Sequence, residues 1–506
     1  YKDTKLADYN SNTFYRRYNV TSNLTLNPFR TTEIKLGIQG YLANANYPAS
    51  SQASIFESAY FTPPTYIAPL YPDGKLGAFS GGDINPVAQL GATGYANQWR
   101  SQVYSNLRIT QQIYKGLSVS GMFSFDTYNY TSNRFTKTPN TYHATGRDAN
   151  GNLLYEQTRQ GTENLAYSLS AKGNRAIYLE AAVNYRNTFG RHTVSGMMLF
   201  NQSDEINTKA TNVEEALPYR FRGLAGRFTY SFDDRYFGEF NFGYNGSENF
   251  APKNRYGFFP SVGLGWVISN EPFFRGATEV IQYLKLRGTW GRVGNSQISG
   301  RRFAYLATVK DTNDTSYQFG KNMDQTYGTT AIDEYAVDVT WEIADKTNIG
   351  LDMRLLNNKF NLQFDAFKES RKGIYLRRTS IPSYFGMINN PYGNIGKVEN
   401  KGIEMSVSYA NSWRDWSLSV MGNYSFNRNK VLEDDSTVAY PWQKTIGNKV
   451  DQRFGLIALG LFESPEEIAA APVQVGDTRP GDIRYKDING DGKIDEYDKV
   501  PIGWGS

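Results

Sequence analysis

The chain has 506 residues, no cysteine, two histidines and a formal net charge of +5 from 54 basic and 49 acidic residues. The absence of cysteine excludes disulfide frameworks and thiolate metal sites, and the lack of a basic run argues against nucleic-acid binding. The longest apolar run, residues 454–462, falls far short of the roughly 20 residues that a membrane-spanning helix requires. Aromatic residues make up 15% of the chain, well beyond what core filling normally needs.

Alternating apolar and polar residues predict a succession of β-strands along the whole chain. In the stretch YFGEFNFGYNGS, Phe240 and Tyr244 fall on one side of a strand, while Glu239 and Asn241 fall on the other. In chain order, the apolar rows lie in segments 18–26, 34–42, 103–109, 117–125, 179–185, 194–200, 224–232, 236–246, 262–266, 284–290, 349–355, 360–364, 403–409 and 416–426. The pattern therefore predicts about fourteen strands.

The connections between these strands alternate in length. Short turns such as NNK and DDR join the two strands of each pair, and a somewhat longer link before Leu284 can hold a short helix. The connections between pairs are long and cover residues 43–100, 126–176, 201–223, 247–260, 291–348 and 368–402. We therefore predict an all-β fold: a large antiparallel transmembrane β-barrel with short periplasmic turns and long extracellular loops, in which closure removes exposed sheet edges.

The two sides of the predicted strands are expected to face different surroundings. Polar rows, expected to face a water-filled lumen, include Asn19, Thr21, Asn23 and Thr25 as well as Asn361, Gln363 and Asp365. Aromatic residues near strand ends, expected at the level of the lipid headgroups, are Tyr236, Phe258, Phe259, Trp290, Tyr409 and Trp416. The apolar rows are accordingly expected to contact lipid.

Several longer segments resemble one known family. The segment YNGSENFAPKNRYGFFPSVGLGWVISNEPFF, which starts at Tyr244, resembles a barrel hairpin of the SusC-like TonB-dependent transporters of Bacteroidetes outer membranes. So do WEIADKTNIGLDM from Trp341, NIGKVENKGIEM from Asn394 and PGDIRYKDINGDGKIDEYDKVPIG from Pro480. The last three follow the order and spacing of the family, and together the similarities extend from the first strand pair to the end of the chain.

The resemblance implies an outer-membrane protein of which residues 1–506 form part of a barrel of about 22 strands. It implies TonB-dependent import of an oligosaccharide, with a SusD-like surface lipoprotein as a lid and with lipid bilayer and lipopolysaccharide around the barrel. We expect the plug domain, the TonB-binding segment and the last barrel strands to lie outside this sequence. The sequence does not identify the residues that contact the substrate.

A possible metal site stands out in the segment DINGDGKIDEYD, residues 487–498. Its oxygen donors follow the spacing of a calcium loop, with Gly492 at the sharp turn and an Asp at the closing position instead of the longer Glu. The predicted ligands of a structural calcium ion are Asp487, Asn489, Asp491, the carbonyl of Lys493, Asp495 and Asp498. The alternative is a solvated turn rich in Asp and Asn.

Catalysis is not predicted. A Ser-His-Asp triad would need His143, which lies in a long connection, or His192, which opens a strand after a tight turn. Besides glycan import, three functions stay open from the sequence: import of a peptide, passive diffusion through a porin, and glycan binding by a secreted β-rich protein. Loops rich in Tyr, Asn, Asp and Gly can stack on sugar rings or bind peptide backbones.

Overall fold

Antiparallel β-strands dominate the structure, a computed structural model that describes residues 9, 12–298 and 301–503. In chain order the strands are β1 (Phe14–Phe29), β2 (Thr32–Pro48), β3 (Gly94–Tyr114), β4 (Leu117–Thr136), β5 (Thr141–Arg147), β6 (Leu153–Arg159), β7 (Ala166–Phe189), β8 (His192–Asn207), β9 (Tyr219–Phe232), β10 (Tyr236–Ser247), β11 (Tyr256–Val267), β12 (Ile281–Asn295), β13 (Thr308–Phe319), β14 (Gln325–Glu334), β15 (Glu342–Leu355), β16 (Phe360–Arg377), β17 (Tyr392–Trp413), β18 (Trp416–Glu433), β19 (Phe454–Gly455), β20 (Ala458–Leu461), β21 (Ile483–Tyr485) and β22 (Val500–Pro501).

Fourteen of these strands form one sheet, in the order β1-β2-β3-β4-β7-β8-β9-β10-β11-β12-β15-β16-β17-β18. The remaining strands form separate pairs, β5 with β6, β13 with β14, β19 with β22 and β20 with β21. Each predicted apolar row lies in a different strand of the large sheet, so the predicted number and positions of the strands are confirmed. The sheet is built almost entirely from neighbours in sequence because short turns favour antiparallel pairing.

From β9 to β18 of the large sheet, the register aligns the predicted apolar rows on one side, which we call the apolar face. Phe240 of β10 lies opposite Phe228 of β9 and Val262 of β11. These three side chains are 39% to 45% exposed, so they present a surface instead of filling a core. The intervening residues form the polar face. Its large exception, Phe237, contacts the Nζ atom of Lys285, which lies 5.2 Å from the ring centroid.

Several strands run beyond the ends of their apolar rows. The sequence predicts a connection from residue 368 to residue 402, yet β16 continues to Arg377 and β17 begins at Tyr392, directly opposite. Backbone hydrogen bonds continue the pairing there, although the regular apolar row has ended and Tyr375 is instead buried in a cluster. The alternation of apolar and polar residues therefore marks only part of each strand. The connections between the strand pairs are shorter than the sequence predicted, because the strands extend into them.

The short turns adopt the left-handed backbone conformation that Asn and Asp tolerate. Asn357 and Asn358 between β15 and β16 have φ values of 56° and 62°, and Asp233 and Asp234 between β9 and β10 have φ values of 51°. The longer link before β12 contains short 3-10 helices, as its length suggested. The 3-10 helices are Pro252–Asn254, Ile268–Asn270, Pro272–Ala277, Ser383–Phe385, Pro441–Gln443 and Glu496–Asp498.

The chain divides into two compact units. The first unit comprises residues 1–113, 118–181 and 201–220. Its connections contain the helices α1 (Gln52–Phe61), α2 (Pro86–Gly91) and α3 (Val213–Ala216), and the hairpin of β5 and β6. Asn85 caps α2 by accepting hydrogen bonds from the backbone N–H groups of Val87 and Ala88 at 2.9 and 3.1 Å. Leu76 and Ala92 pack with α2 in a small buried cluster, which holds α2 against the preceding part of the same connection.

The second unit comprises residues 114–117, 182–200 and 221–506. Its main buried cluster contains Phe250, Phe259, Ile298, Ala304, Val339, Trp341 and Tyr375. Phe259, predicted at the lipid interface, instead packs against Trp341 with ring centroids 5.0 Å apart and is 8% exposed. Its place in the alternation puts it on the polar face, whereas its neighbour Phe258 lies on the apolar face and is 53% exposed.

The C-terminal part of the second unit lacks long regular elements. The apolar run of residues 454–462 is divided between β19 and β20, and it ends at Phe462, which is buried. One short helix, α4 (Pro465–Ala470), follows. In the part of the chain that the structure describes, no helix is both long and apolar enough to span a membrane.

Candidate functional site

Paired charges line the polar face of the sheet in the second unit. The ion pairs are Arg227–Glu239, Arg287–Asp352, Arg287–Asp365, Lys346–Glu369, Arg371–Glu342 and Arg371–Glu369, with N···O distances from 2.6 to 3.3 Å. Their positions alternate with the apolar rows, so all of them project from the same side of the sheet. The polar face is therefore a wall of fixed, mutually compensating charges.

Arg287 is the most connected cation of this wall. Its Nη2 atom lies 2.6 Å from Asp365, and its Nε atom lies 3.3 Å from Asp352. The side chains of Asp365 and Arg287 are 14% and 23% exposed, which limits screening by solvent. The sequence predicted Asp365 on the polar side, and the structure adds its cationic partner from β12. Asn361 of the same predicted row donates a hydrogen bond to Ser408 at 3.3 Å.

The polar row predicted in β1 also carries paired side chains. Asn19 accepts a hydrogen bond of 2.8 Å from Nε of Arg17. The guanidinium of Arg17 stacks on the ring of Tyr41 in β2, at 3.8 Å from the centroid. The β1 row therefore carries hydrogen-bonding groups as predicted, and a cation–π contact reinforces it.

A cavity of about 930 Å³ opens within the first unit. It is lined by Thr13, Tyr47, Pro48, Ala49, Ser50, Ser51, Gln52, Ile55, Phe56, Leu90, Ala96, Gln98, Arg100, Tyr130, Ser132, Arg134, Ser168, Leu169 and Ser170. The lining comes from the ends of β2, β3, β4 and β7 that adjoin the long connections, from α1, from Leu90 of α2 and from Thr13 just before β1. Hydroxyl, amide and guanidinium groups alternate there with aromatic rings, a mixture that suits a hydroxyl-rich solute.

Two arginines supply the positive charge of this cavity. The guanidinium of Arg100 lies 5.0 Å from the ring centroid of Tyr130 and donates a hydrogen bond of 3.1 Å to Gln98. Arg134 donates a hydrogen bond to the carbonyl oxygen of Ala49, the residue that follows β2. Arg100 is therefore oriented by neighbouring side chains, whereas Arg134 ties a strand to the connection that leads into α1.

The helix at the cavity is held by polar contacts. Ser51 caps α1 by accepting a hydrogen bond of 3.1 Å from the backbone N–H of Ser54. Ser58, buried on the other side of α1, donates a hydrogen bond of 2.8 Å to Gln89 of α2. Sequence reasoning missed this cavity because its lining residues come from segments up to 157 positions apart, from Thr13 to Ser170. The only local signal was the presence of Arg100, Tyr130 and Arg134 beyond the apolar rows.

Tyrosines also cluster in the loops of the first unit. The ring of Tyr155 lies 5.0 Å from that of Tyr71 and 6.3 Å from that of Tyr142. The ammonium of Lys75 lies 4.6 Å from the Tyr155 centroid and forms an ion pair with Asp73. The hydrogen bond from Lys75 holds the pKa of the Asp73 carboxyl below its ordinary value. This cluster is a rigid aromatic surface of the kind that can stack on sugar rings.

Neither histidine belongs to a catalytic triad. The ring of His143 packs edge-on against Phe79, with centroids 5.0 Å apart. Nδ1 of His192, the first residue of β8, lies 2.8 Å from the hydroxyl of Tyr230. Both histidines thus have aromatic partners on neighbouring segments.

The segment predicted to bind calcium forms a tight loop between β21 and β22. Asp487 accepts hydrogen bonds from the backbone N–H groups of Gly490 at 2.6 Å and Gly492 at 2.9 Å. These bonds, above all the one from Gly492, hold the pKa of the Asp487 carboxyl below its ordinary value. Gly492 has a φ of 85°, as the predicted sharp turn requires. Asp498 is fully buried, and its carboxylate accepts backbone hydrogen bonds at 2.7 to 3.4 Å.

The other predicted ligands also bond within the loop. Asn489 donates a hydrogen bond of 3.0 Å to Asp491, and the Nζ atom of Lys493 lies 3.0 Å from Asp495. Among the described residues, no three or more Asp, Glu, His or Cys side chains are arranged as a metal site. The oxygen chemistry nevertheless fits calcium, because a carboxylate oxygen that accepts one N–H group keeps another lone pair. The calcium site stays a prediction.

Comparisons with known proteins agree with this architecture. The sequence model of the family described as "TonB dependent receptor-like, beta-barrel" matches residues 37–497. TonB-dependent receptor P3 of Formosa agariphila is 26% identical over 406 residues, which cover 77% of this chain and 38% of that protein. TonB-dependent receptor SusC of Bacteroides thetaiotaomicron is 29% identical over 280 residues, which cover 54% of this chain and 27% of that protein. The chain thus spans less than half the length of these relatives.

Solved structures show the same fold. The structure of the RagAB peptide transporter has a TM-score of 0.69 and 18% identity, over 97% of this chain and 55% of that one. The RagAB peptide importer in the open-open state gives a TM-score of 0.70 at 16% identity, over 97% and 54% of the two chains. Proteins of the matched family are outer-membrane transporters and not enzymes, and barrels of this kind have an apolar surface toward lipid and a polar interior, which matches the two faces of this sheet. The chain belongs to the TonB-dependent receptor β-barrel family and lies in the outer membrane.

Proposed function

We propose that this protein imports an oligosaccharide across the outer membrane, with energy supplied through TonB and with a SusD-like surface lipoprotein that closes over the outer opening. The similarity to SusC and the resemblance of the quoted segments to SusC-like transporters support this assignment. Family membership excludes the secreted glycan-binding protein considered from the sequence. It also disfavours a passive porin, because a porin has no coupling to TonB.

One observation carries the choice of substrate: the cavity in the first unit. Its serine hydroxyls, glutamine amides and tyrosine rings can bind the hydroxyl groups and the apolar faces of sugars. The tyrosine cluster around Tyr155 offers further rings for stacking. A peptide is the second candidate, since the same amides and hydroxyls can bind backbone groups. The paired charges of the polar face suit passage of either hydrophilic solute, because the compensated wall does not trap one sign of charge.

Uptake by living cells tests the proposal. Cells that produce the full-length protein should accumulate a fluorescent oligosaccharide mixture and should stop doing so after addition of a protonophore or loss of TonB. Loss of the SusD-like lipoprotein should reduce uptake at low solute concentration. Accumulation of a labelled peptide mixture in place of the oligosaccharides would assign a peptide importer. Uptake that persists without a proton gradient would establish a passive pore.

We also propose that the loop of residues 487–498 binds a structural calcium ion. Its ligands would be the side chains of Asp487, Asn489, Asp491, Asp495 and Asp498 and the carbonyl oxygen of Lys493. The spacing, the left-handed turn at Gly492 and the wholly oxygen-based donor set support this proposal. A bound cation would neutralise part of the negative charge that the loop concentrates.

A further inference from the structure

The cavity of the first unit carries charge of one sign only. Among the described residues that line it, Arg100 and Arg134 are basic and none is an aspartate or a glutamate. An arginine side chain stays protonated in proteins, so both positive charges are permanent. The remaining lining groups are uncharged hydroxyls, amides, aromatic rings and aliphatic side chains. The cavity is therefore a positive site within a polar wall.

Neither arginine of the cavity is neutralised by the protein. In the part of the chain that the structure describes, neither forms an ion pair with a carboxylate. Arg100 contacts the amide oxygen of Gln98 and the ring of Tyr130, and Arg134 contacts the carbonyl oxygen of Ala49. A guanidinium has five N–H donors in one plane, so these uncharged partners orient the two groups and leave donors for a ligand.

Arg108 shows how the same strand accommodates an arginine outside the cavity. Arg100 and Arg108 lie on the same side of β3, because an even number of residues separates them along an uninterrupted register with β2. Arg108 forms an ion pair of 3.0 Å with Glu180, whose side chain is 11% exposed. The protein thus supplies a carboxylate to Arg108, whereas Arg100 has only uncharged partners.

The acidic residues that are close in sequence to the lining residues do not belong to the cavity. Glu57 of α1 lines a separate pocket of about 440 Å³. Asp126 precedes Tyr130 by four residues, about 13 Å along β4, and accepts a hydrogen bond of 3.2 Å from Ser124. Glu163, in the connection before β7, is exposed. None of these three carboxylates lines the cavity, so its positive charge is not compensated from the adjoining segments.

A third arginine adds positive charge on the same side of the sheet. Arg17 of β1 lies opposite Ala43 of β2, which in turn lies opposite Arg100 of β3. Arg17 and Arg100 are therefore two strands, or about 10 Å, apart. The contacts of Arg17 with Asn19 and Tyr41 involve no carboxylate. The first residues of α1 also line the cavity, and the partial positive charge of a helix N-terminus has the same sign.

We propose that the imported oligosaccharide is acidic and that Arg100 and Arg134 bind its anionic groups, which are carboxylates or sulfates. This inference rests on the proposed function, because it specifies the solute that the cavity takes. Guanidinium groups bind such oxyanions through parallel charge-assisted hydrogen bonds. The ring of Tyr130 and the serine hydroxyls of the lining bind the uncharged parts of the sugar. A neutral oligosaccharide would leave both positive charges without an anion.

Competitive retention by the full-length protein in detergent tests the proposal. The protein is incubated with equal amounts of three oligosaccharide mixtures of similar chain length, one neutral, one containing uronates and one sulfated, together with a peptide mixture. Native mass spectrometry then identifies what the washed protein retains. We expect at least one acidic mixture to be preferred over the neutral one by about 10-fold or more. The retained mixture identifies the anionic group, and reduction of its carboxyl groups or removal of its sulfates should abolish the preference.

Variants of the arginines connect this preference to the cavity. Arg100→Gln should weaken binding of the retained acidic oligosaccharide about 10-fold, and Arg100→Gln/Arg134→Gln should weaken it on the order of 100-fold. Arg100→Lys keeps the charge without the planar fork and should lose less than Arg100→Gln. Arg108→Gln is the control. It removes the same charge from the same strand at about 26 Å from Arg100, beyond the screening length, and binding should stay within about 2-fold.

The outcomes separate this inference from the proposed function. Heat-modifiable gel migration verifies that each variant is folded, and Arg100→Gln alone carries the test if the double variant does not fold. Preferential retention of neutral oligosaccharides would overturn the acidic specificity and leave oligosaccharide import intact. Equal binding of an acidic oligosaccharide by the unmodified protein and Arg100→Gln would overturn the role of the cavity arginine. Retention of no oligosaccharide, with or without retention of peptides, would contradict oligosaccharide import and this inference with it.

Discussion

Nη2 of Arg287 on β12 lies 2.6 Å from Oδ2 of Asp365 on β16, although β15 runs between these two strands. The contact crosses a whole strand because Arg287 lies opposite Gly350, which has no side chain to obstruct it. A Cβ atom at Gly350 would fall 2.3 Å from the guanidinium carbon of Arg287. Gly350 thus leaves room for the side chain of Arg287 to reach across β15 to Asp365.

Substitution of Arg287 should destabilise the protein. Arg287→Gln leaves Asp352 and Asp365 without their shared cation, and we expect the free energy of unfolding to fall by roughly 1–3 kcal/mol. Thermal unfolding of the full-length protein in detergent measures the effect. Lys253→Gln is the control, because the pair of Lys253 and Asp338 is 69% and 60% exposed and such pairs contribute about 0–1 kcal/mol. Equal effects of the two changes would contradict the structural role of Arg287.

Loss of an aromatic ring from the cavity should weaken transport. Tyr130→Ala removes the ring on which Arg100 rests, and we expect the apparent KM for an oligosaccharide imported by the unmodified protein to rise about 10-fold. Uptake rates at several solute concentrations provide the KM. Tyr384→Ala, at a residue that is 83% exposed and outside the cavity, should leave the KM unchanged. An unchanged KM for Tyr130→Ala would show that the cavity is not part of the transport path.

A glycine at the start of β3 should tolerate no side chain. Gly94 has a φ of 107°, and an added Cβ atom would lie 2.0 Å from the carbonyl oxygen of Phe135. Gly94→Ala should therefore cost about 2–4 kcal/mol of stability, from backbone strain and steric overlap together. Gly151→Ala is the matched control: its φ is 83° but no atom lies within 4 Å of the added Cβ, so about 1 kcal/mol is expected. Thermal unfolding compares the two.

Calcium should stabilise the full-length protein if the loop of residues 487–498 binds it. Removal of calcium with a chelator should lower the unfolding temperature, and calcium added back should restore it, because a ligand that binds only the folded state stabilises that state. Asp498→Asn should abolish this response in differential scanning calorimetry. Glu496→Gln changes an exposed carboxylate of the same loop that is not a predicted ligand, and it should preserve the response. If calcium leaves the unfolding temperature of the unmodified protein unchanged, the loop does not bind calcium.

Acid should loosen the same loop when calcium is absent. The pKa of Asp487 is lowered in the folded protein by hydrogen bonds from Gly492 and Gly490, so its ionised form stabilises the fold. That stabilisation is complete above the unfolded-state pKa of about 3.9 and is lost as the pH falls through the lower, folded-state pKa. Hydrogen exchange in the peptide of residues 487–498 should therefore accelerate, relative to the intrinsic rate, as the pH falls below about 4. Asp487→Asn should remove this pH dependence of hydrogen exchange in the loop and should leave the pH dependence of exchange in the other peptides unchanged.

The amino-acid sequence alone determined the strands and their two faces. Residues such as Phe228, Phe240 and Val262 alternate with polar neighbours, and this local pattern identified each strand of the large sheet. The resemblance of the segments from Tyr244 and Trp341 to one family also came from the sequence and agrees with the family assignment. Strand ends were predicted poorly, since pairing continues to Arg377 where no apolar row remains.

Only the tertiary structure decided which distant residues meet. The cavity combines Ser51 of one connection with Arg100 and Tyr130 of two strands, and no local pattern relates these positions. The same is true of Arg287 with Asp365, whose contact depends on strand register. The alternation of apolar and polar residues shows on which side of its own strand each residue lies, because the period of two is a property of a single extended backbone. Register and loop packing depend on the whole set of strands, so they emerge only when the chain is folded.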